Sequence, residues 1–165
     1  MTVVSSGCFR NNVQMLDKTE LALLRALEND ARLSFAELGE KVGLSKTPCW
    51  SRVQDLEKRG IIKGYRAEID PDAVGLHIHA FVQVTINSIK HAEFEAAVNR
   101  HASVVQCFAT AGDGDYLLQV LVPGIADLDQ LLRAEISRLP GVQRIVTTVC
   151  VKTIKHRAST TECVR

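Results

Sequence analysis

The sequence predicts an α+β chain, a helix-turn-helix followed by a ferredoxin-like βαββαβ domain. Three observations predict it. Two capping boxes and a third helix start fall close together between Asp17 and Pro48. After Asp70-Pro71 the apolar spacing changes from a helical repeat to strict alternation, the mark of a half-buried strand. Positive charge is gathered at one end. Residues 41–66 hold seven basic residues and two acids, a local net charge of +5 in a chain of net charge +1.

Residues 1–15 are mixed and polar and read as a flexible lead-in. Asp17 and Glu20 stand at capping-box spacing, with Leu16 and Leu21 as a hydrophobic staple. The helix they open is expected to turn Leu21, Leu24 and Leu27 inward and to stop near Asn29-Asp30. Ser34 and Glu37 form the second box, stapled by Leu33 and Leu38, and that short helix ends at Gly43. Ser45 or Thr47 caps the third helix, where Pro48 in the first turn forfeits an N–H that has no partner there. It runs to about Arg59 before Gly60. Residues 61–69 suit a small β-ribbon that joins the two halves.

In the second half Ala80, Val82, Val84 and Ile86 alternate with more polar residues. Residues 92–100 put Phe94, Ala97 and Val98 on one helical face. Residues 104–109 and 115–122 are strands joined across Gly112-Asp113-Gly114, a hairpin signal. Ile125, Leu128, Leu131, Leu132 and Ile136 form a helical stripe, closed by Pro140-Gly141, and residues 142–154 are a last strand. The order is the split βαββαβ arrangement, with one open sheet face. From His156 onward the tail is polar and expected to be loose.

Length and composition agree with this plan. A chain of 165 residues, 46% hydrophobic and 24% charged, has room for two small cores, and with aromatics at 5% these must rest on Leu, Val, Ile and Ala. No apolar run reaches the 18 or so residues of a membrane helix. Nor do the first fifteen residues carry the apolar stretch of a signal peptide. Five scattered cysteines without a C-x-x-C pair argue for a reduced, cytoplasmic setting.

The third helix carries the chemistry. Gly39 lets two helices cross closely, and Gly43 supplies the turn. Leu38, Val42 and Leu44 pin the crossing from one side, and Cys49, Val53 and Leu56 pin it from the other. At 100° per residue, Thr47, Trp50, Ser51, Gln54 and Lys58 then face away. That face is polar and poor in acids, as a helix lying against base edges should be. Gln54 can pair bidentately with adenine, and Ser51 and Thr47 can donate or accept. Lys46, Arg52 and Lys58 flank the face and would meet phosphates, joined by Lys63 and Arg66 from the ribbon. Ser45 and Pro48, at the helix start, complete the DNA-binding set. An ordinary helical hairpin with a solvated face would share much of this pattern. Trp50 can lie on sugar or a thymine methyl, or tuck its edge into a core gap.

The run Leu16-Asp17, Leu27, Asp30-Ala31-Arg32, Glu37-Leu38, Val42-Gly43-Leu44-Ser45, Pro48-Cys49, Arg52-Val53, Leu56-Glu57, Gly60-Ile61-Ile62 and Gly64-Tyr65 resembles the leucine-responsive/asparagine-responsive (Lrp/AsnC) family of transcription regulators. The likeness continues through residues 112–118, Val122-Pro123 and residues 139–142. It implies a winged helix-turn-helix over residues 16–77, including the ribbon. A ferredoxin-like sensing and oligomerisation domain over 78–155 and a polar tail over 156–165 would follow. It also implies open sheets that pair into homodimers, assembly up to octamers, and a small amino-acid-like effector held between dimers. The matching effector positions are Gly112, Asp113 and Asp115, with Thr148, Val149 and Cys150 expected alongside. Gly114 and Thr148 stand where relatives often carry bulkier or aromatic residues, which changes the pocket. An architectural DNA-organising protein of the same fold, without ligand response, is the alternative.

Other constellations carry less. His77 and His79 share a strand face but have no Cys or acid at metal-binding spacing, so no metal and no cofactor is expected. Asp113 and Asp115 lack a nucleophile, a base or a phosphate loop, so catalysis is not expected. His91, His101 and His156 read as surface residues, and Cys49 as packing.

Overall fold

The computed structural model describes residues 16–155 and 159–164. The expected lead-in over 1–15, with Cys8, and residues 156–158 and 165 lie outside them. The described residues divide into two compact units, residues 16–66 with 155 and 159–164, and residues 67–154.

In the first unit three helices follow one another: α1 (Lys18–Asn29), α2 (Phe35–Val42) and α3 (Lys46–Lys58). Both capping boxes form. The Asp17 carboxylate accepts from the Glu20 N–H at 2.7 Å, and the Glu20 carboxylate accepts in return from the Asp17 N–H at 2.8 Å. Ser34 and Glu37 exchange the same pair of bonds. Gly43 ends α2 in the left-handed region at φ 72°, where a side chain would be strained. Leu23, Leu38, Cys49 and Val53 form the core, with Ala26, Leu27, Phe35, Val42, Leu44 and Ile62 around them. The inward stripe of α1 differs from the expected one. Leu23 is wholly buried whereas Leu21 and Leu24 are only partly so, because α1 rolls to bring Glu20 to Arg59.

Two further expectations change here. Residues 61–70 form no strand: a bend at 61–62, whose N–H groups turn back to the Leu56 carbonyl, leads into irregular backbone. The tail is not loose over its described part. Residues 159–164 turn against α1, where the Glu28 carboxylate accepts from the N–H groups of Thr160 and Thr161 and from both the Ser159 and Thr161 hydroxyls. Burial pushes this carboxyl up, but those four donors outweigh it and hold the group at about 2.

The second unit is an antiparallel sheet in the order β2-β3-β1-β4. Its strands are β1 (Ile78–Ile86), β2 (Val104–Ala109), β3 (Tyr116–Val122) and β4 (Val142–Val149). Helices α4 (His91–Val98) and α5 (Ile125–Gln130) come from the two crossovers, so the connectivity is βαββαβ as expected. Ala80, Val82 and Val84 of β1 and Leu118 and Val120 of β3 are fully buried, with Phe94, Leu131 and Ile136 in the same core. The opposite face, with Phe81, Gln83, Leu117 and Leu121, carries neither described helix of its own unit and stays partly exposed.

The long stripe from Ile125 does not form one α-helix. After α5 the backbone passes through a π turn at Leu131–Glu135 and a 3-10 turn at Ile136–Arg138. The wider turn brings Leu128, Leu131 and Ile136 to the same core although they are spaced by three and then five residues. Ile125, expected inward, is 61% exposed.

Candidate nucleic-acid interface and effector site

The turn from α2 into α3 folds back onto Gly39 as closely as a glycine permits. A Cβ on Gly39 would lie 2.5 Å from the carbonyl oxygen of Leu44, and the Leu44 N–H donates to the Gly39 carbonyl at 2.8 Å. From that contact Cys49, Val53 and Leu56 are drawn inward, each 1% exposed or less. Burial pushes the Cys49 thiol up, so it acts as packing. The opposite side of α3 is thereby turned out. Ser45, Lys46, Thr47, Pro48, Ser51 and Lys58 are exposed, and the Trp50 indole is 49% exposed and not a core plug. Gln54 is half-buried.

The cations divide into two kinds. Arg52 is half-buried and bonds Asp17 at 2.6 Å, which ties α3 to the start of α1. The Asp17 carboxyl is held below its ordinary value by the Glu20 N–H first and by Arg52 second. Arg59 reaches Glu20, and also Asp55 at 2.8 Å. These two guanidinium groups brace the helices against each other. Lys46, Lys58, Lys63 and Arg66 make no ion pair among the described residues and carry their charge to solvent. An exposed cationic rim around a hydroxyl- and amide-bearing face suits a polyanion whose backbone is charged and whose grooves are polar.

Sequence reasoning did not foresee Glu57 and Tyr65. Glu57 accepts from Gln54 Nε2 at 2.7 Å and from the Tyr65 hydroxyl at 2.9 Å. The spacing of Gln54 and Glu57, three residues apart on a helix, signals the first bond. No local pattern announces the second.

In the second unit the hairpin between β2 and β3 is pinned to the end of β1. The Asp115 N–H donates to the Val84 carbonyl at 2.9 Å, and the Asp115 carboxylate accepts from the Ile86 N–H at 2.8 Å. Thr110 donates to the Gly114 carbonyl at 2.6 Å. Asp115 is therefore occupied within the fold, while Gly112 and Asp113 are exposed at the tip. A Cβ on Gly114 would meet Gln83 Cγ at 2.5 Å, so the glutamine fills the room a larger residue would need.

Thr148, Val149 and Cys150 do not lie alongside that turn. Thr148 pairs with Phe81 and Val149 with Ala80, and the Cys150 N–H donates to the His79 carbonyl at 2.8 Å. The turn sits at Val84 to Ile86, on the other flank of β1. Five residues of strand at ~3.4 Å each place the two groups about 17 Å apart in one chain. The residues expected to share a pocket are separated because β4 runs antiparallel to β1.

Of the histidines set aside, His91 and His101 are not the surface residues expected. His91 is partly buried against the Tyr116 hydroxyl at 2.8 Å. His101 is partly buried with Nε2 2.9 Å from Glu135 and Nδ1 unbonded among the described residues. His77 and His79 have ordinary partners. His77 Nδ1 lies 3.1 Å from Asp72, and His79 Nε2 lies 2.9 Å from the Gln119 amide. Among the described residues no three His, Cys, Asp or Glu side chains are grouped to hold a metal ion. No described helix is long and apolar enough to cross a membrane.

Comparison with known proteins adds a family to this geometry. Residues 16–63 match the winged helix-turn-helix DNA-binding family, and residues 79–160 match the Lrp/AsnC ligand binding domain. The leucine-responsive regulatory protein of Salmonella typhimurium is 37% identical over 144 residues, covering 86% of this chain and 88% of that protein. Among solved structures, a transcriptional regulator from Neisseria meningitidis in complex with L-Met has a TM-score of 0.84 at 35% identity, covering 88% of this chain and 96% of the other. An AsnC family regulator from Agrobacterium tumefaciens has a TM-score of 0.80 at 33% identity, covering 86% and 94%. With both halves matched in order, the chain belongs to the Lrp/AsnC family and is a DNA-binding transcription regulator with a ligand-binding domain.

Proposed function

We propose that this regulator senses a small amino-acid-like molecule and converts its presence into a change of homo-oligomeric assembly, which sets the spacing of paired DNA-binding heads. The observation that carries the reading is the register of the sheet. Gly112 and Asp113 on one side and Thr148, Val149 and Cys150 on the other are too far apart in one chain to touch one small ligand. A pocket drawing on both sets is completed by a second copy, so filling it favours one assembly over another. The amino-acid class is supported by the L-Met bound to the Neisseria relative. At the turn, the exposed Asp113 carboxylate suits an ammonium group.

The open sheet face supports pairing. Phe81, Leu117 and Leu121 are partly exposed there, and Phe108 is 48% exposed, so a second sheet would cover apolar surface that neither described helix of the same unit covers. A dimer would offer two copies of α3 to half-sites on successive major grooves, and dimers of dimers, up to an octamer, would wrap longer DNA. Thr47, Ser51 and Gln54 would meet base edges, with Ser45, Pro48 and Trp50 against the groove wall. Lys46, Lys58, Lys63 and Arg66 would meet phosphates. Arg52 would act mainly by holding α3 in place. A duplex DNA partner puts this work in the cytoplasm.

The test is sedimentation velocity of the full-length protein with each of the twenty amino acids, paired with fluorescence anisotropy on a duplex selected by the protein itself. The reading expects at least one amino acid to move both the sedimentation profile and the DNA midpoint. If none moves either, the sensing function gives way to an architectural role without ligand response.

A further inference from the structure

Gln54, on the outward side of α3, has an amide that is already engaged. Its Nε2 donates to Glu57 Oε2 at 2.7 Å, and Glu57 Oε1 accepts from the Tyr65 hydroxyl at 2.9 Å. A carboxylate accepts and does not donate, so only the amino end of the carboxamide can face Glu57. The carbonyl oxygen is turned away, and one N–H is left over.

An unrestrained glutamine is an ambivalent reader. It meets adenine with one donor and one acceptor, to N7 and from N6. It meets guanine, whose N7 and O6 both accept, with its amino end alone. An amide that has given one N–H to Glu57 keeps the donor and acceptor that adenine matches, and lacks the second donor for guanine. We propose that Glu57, braced by Tyr65, is the positioning residue that holds the Gln54 amide one way round and makes it prefer adenine to guanine. This rests on the reading that the outer face of α3 meets base edges.

The chain builds the brace locally. Gly60, at φ 70°, reverses direction after α3, and the N–H groups of Ile61 and Ile62 both donate to the Leu56 carbonyl, at 3.0 and 3.2 Å. Gly64, at φ 147°, then adopts a conformation that side chains resist, and Tyr65 returns over the last turn of the helix. Burial first, and Glu57 second, push the Tyr65 hydroxyl up to about 12, so it remains a donor at neutral pH. The segment expected to be a ribbon acts here as a strap on the reading helix. A purely mechanical strap would steady α3 as a whole and serve every DNA sequence alike.

The two roles separate in one experiment. A duplex is selected from a randomised library with the full-length wild-type protein. Affinities for it and for all its single-base variants are then measured by fluorescence anisotropy with wild type, Gln54→Ala, Glu57→Gln and Tyr65→Phe. Glutamine at position 57 can donate as well as accept, so it no longer dictates which way the Gln54 amide points. At the position where Gln54→Ala erases base preference, wild type should favour adenine over guanine on the order of tenfold, and Glu57→Gln should bring the two bases to within about twofold. Preferences elsewhere in the site should stay as they were. Tyr65→Phe, which keeps the ring, should move the same position in the same direction by less. An unchanged adenine-to-guanine ratio in Glu57→Gln overturns the proposal and leaves Gln54 as a reader. Equal weakening at every position also overturns it, in favour of the mechanical strap. Should Gln54→Ala alter no position, the base-reading role of Gln54 falls together with the proposal.

Discussion

Replacing Gly39 by alanine tests the helix-turn-helix geometry at its tightest point. In an ordinary helix interior the change is stabilising by up to ~1 kcal/mol, since alanine is the better helix former. Here the new methyl would lie 2.5 Å from the Leu44 carbonyl oxygen. That oxygen is main chain, and the Leu44 N–H is itself bonded back to Gly39 at 2.8 Å, so it cannot step aside as a side-chain tip could. Overpacking costs about 1–3 kcal/mol, and against main chain that cannot yield the upper part of that range, ~2–3 kcal/mol, applies, which leaves a net loss of ~1–2 kcal/mol after the helical gain. In a unit of this size that corresponds to a fall in melting temperature of about 4–8 °C per kcal/mol. Trp50, the single tryptophan, lies on α3 and reports unfolding of this unit by its fluorescence, in urea or on heating. Gly43→Ala is the control. Its Cβ would meet nothing within 4 Å, so its cost comes only from the left-handed backbone at φ 72°, about 1–2 kcal/mol. Gly43→Ala should therefore bind DNA normally wherever it is folded, whereas Gly39→Ala should bind more weakly even when folded, because α3 has been pushed off its seat. A Gly39→Ala protein as stable as wild type would refute the close approach of the turn to α2.

Three further outcomes follow from single contacts. Lys46→Ala should lower affinity for all duplexes alike and make the slope of log affinity against log salt shallower by about 0.9, read from anisotropy titrations at several salt concentrations; a changed base preference would contradict its assignment to phosphate. Asp115→Ala leaves the Ile86 N–H without its acceptor at 2.8 Å, and should cost ~1–2 kcal/mol in urea denaturation of the second unit; no loss would mean that the carboxylate is free for a ligand. Glu28 is ordinarily a carboxyl of pKa 4.5 and is held at about 2 in the folded chain. Its folded value is the lower one, so its contribution is full above pH 4.5 and fades as the pH falls toward 2. The stability gap between wild type and Glu28→Gln should accordingly shrink over that interval, and a gap that persists unchanged to its lower end would contradict the docking of the tail.

Much of the fold is legible in the chain because its signals are local. The capping boxes at Asp17 and Ser34 are chemistry between residues three apart, and the alternation from Ala80 to Ile86 names the buried face of β1 directly. The outward face of α3 follows from Cys49, Val53 and Leu56 alone. What could not be read depends on partners distant in sequence. Leu23 and not Leu24 is the wholly buried leucine of α1, because Glu20 must meet Arg59 some forty residues on. The bond from Arg52 to Asp17, thirty-five residues away, leaves no local trace in the sequence. The stripe from Ile125 reads as one helix because periodicity cannot announce a π turn. The effector positions carry no signal of their own beyond the family pattern, and only the register of β1 with β4 places Thr148 far from Asp113.

The central claim is that the outer face of α3 enters the major groove, and photocrosslinking tests it directly. In a selected duplex each thymine is replaced in turn by 5-iodouracil, whose iodine stands where the major-groove methyl was. The complex is irradiated and digested with trypsin, and the crosslinked peptide is identified by mass spectrometry. The account predicts that at least one position crosslinks to the peptide of residues 47–52, which holds the exposed Trp50. Crosslinks confined to peptides of the second unit, with residues 47–52 never labelled, would contradict it.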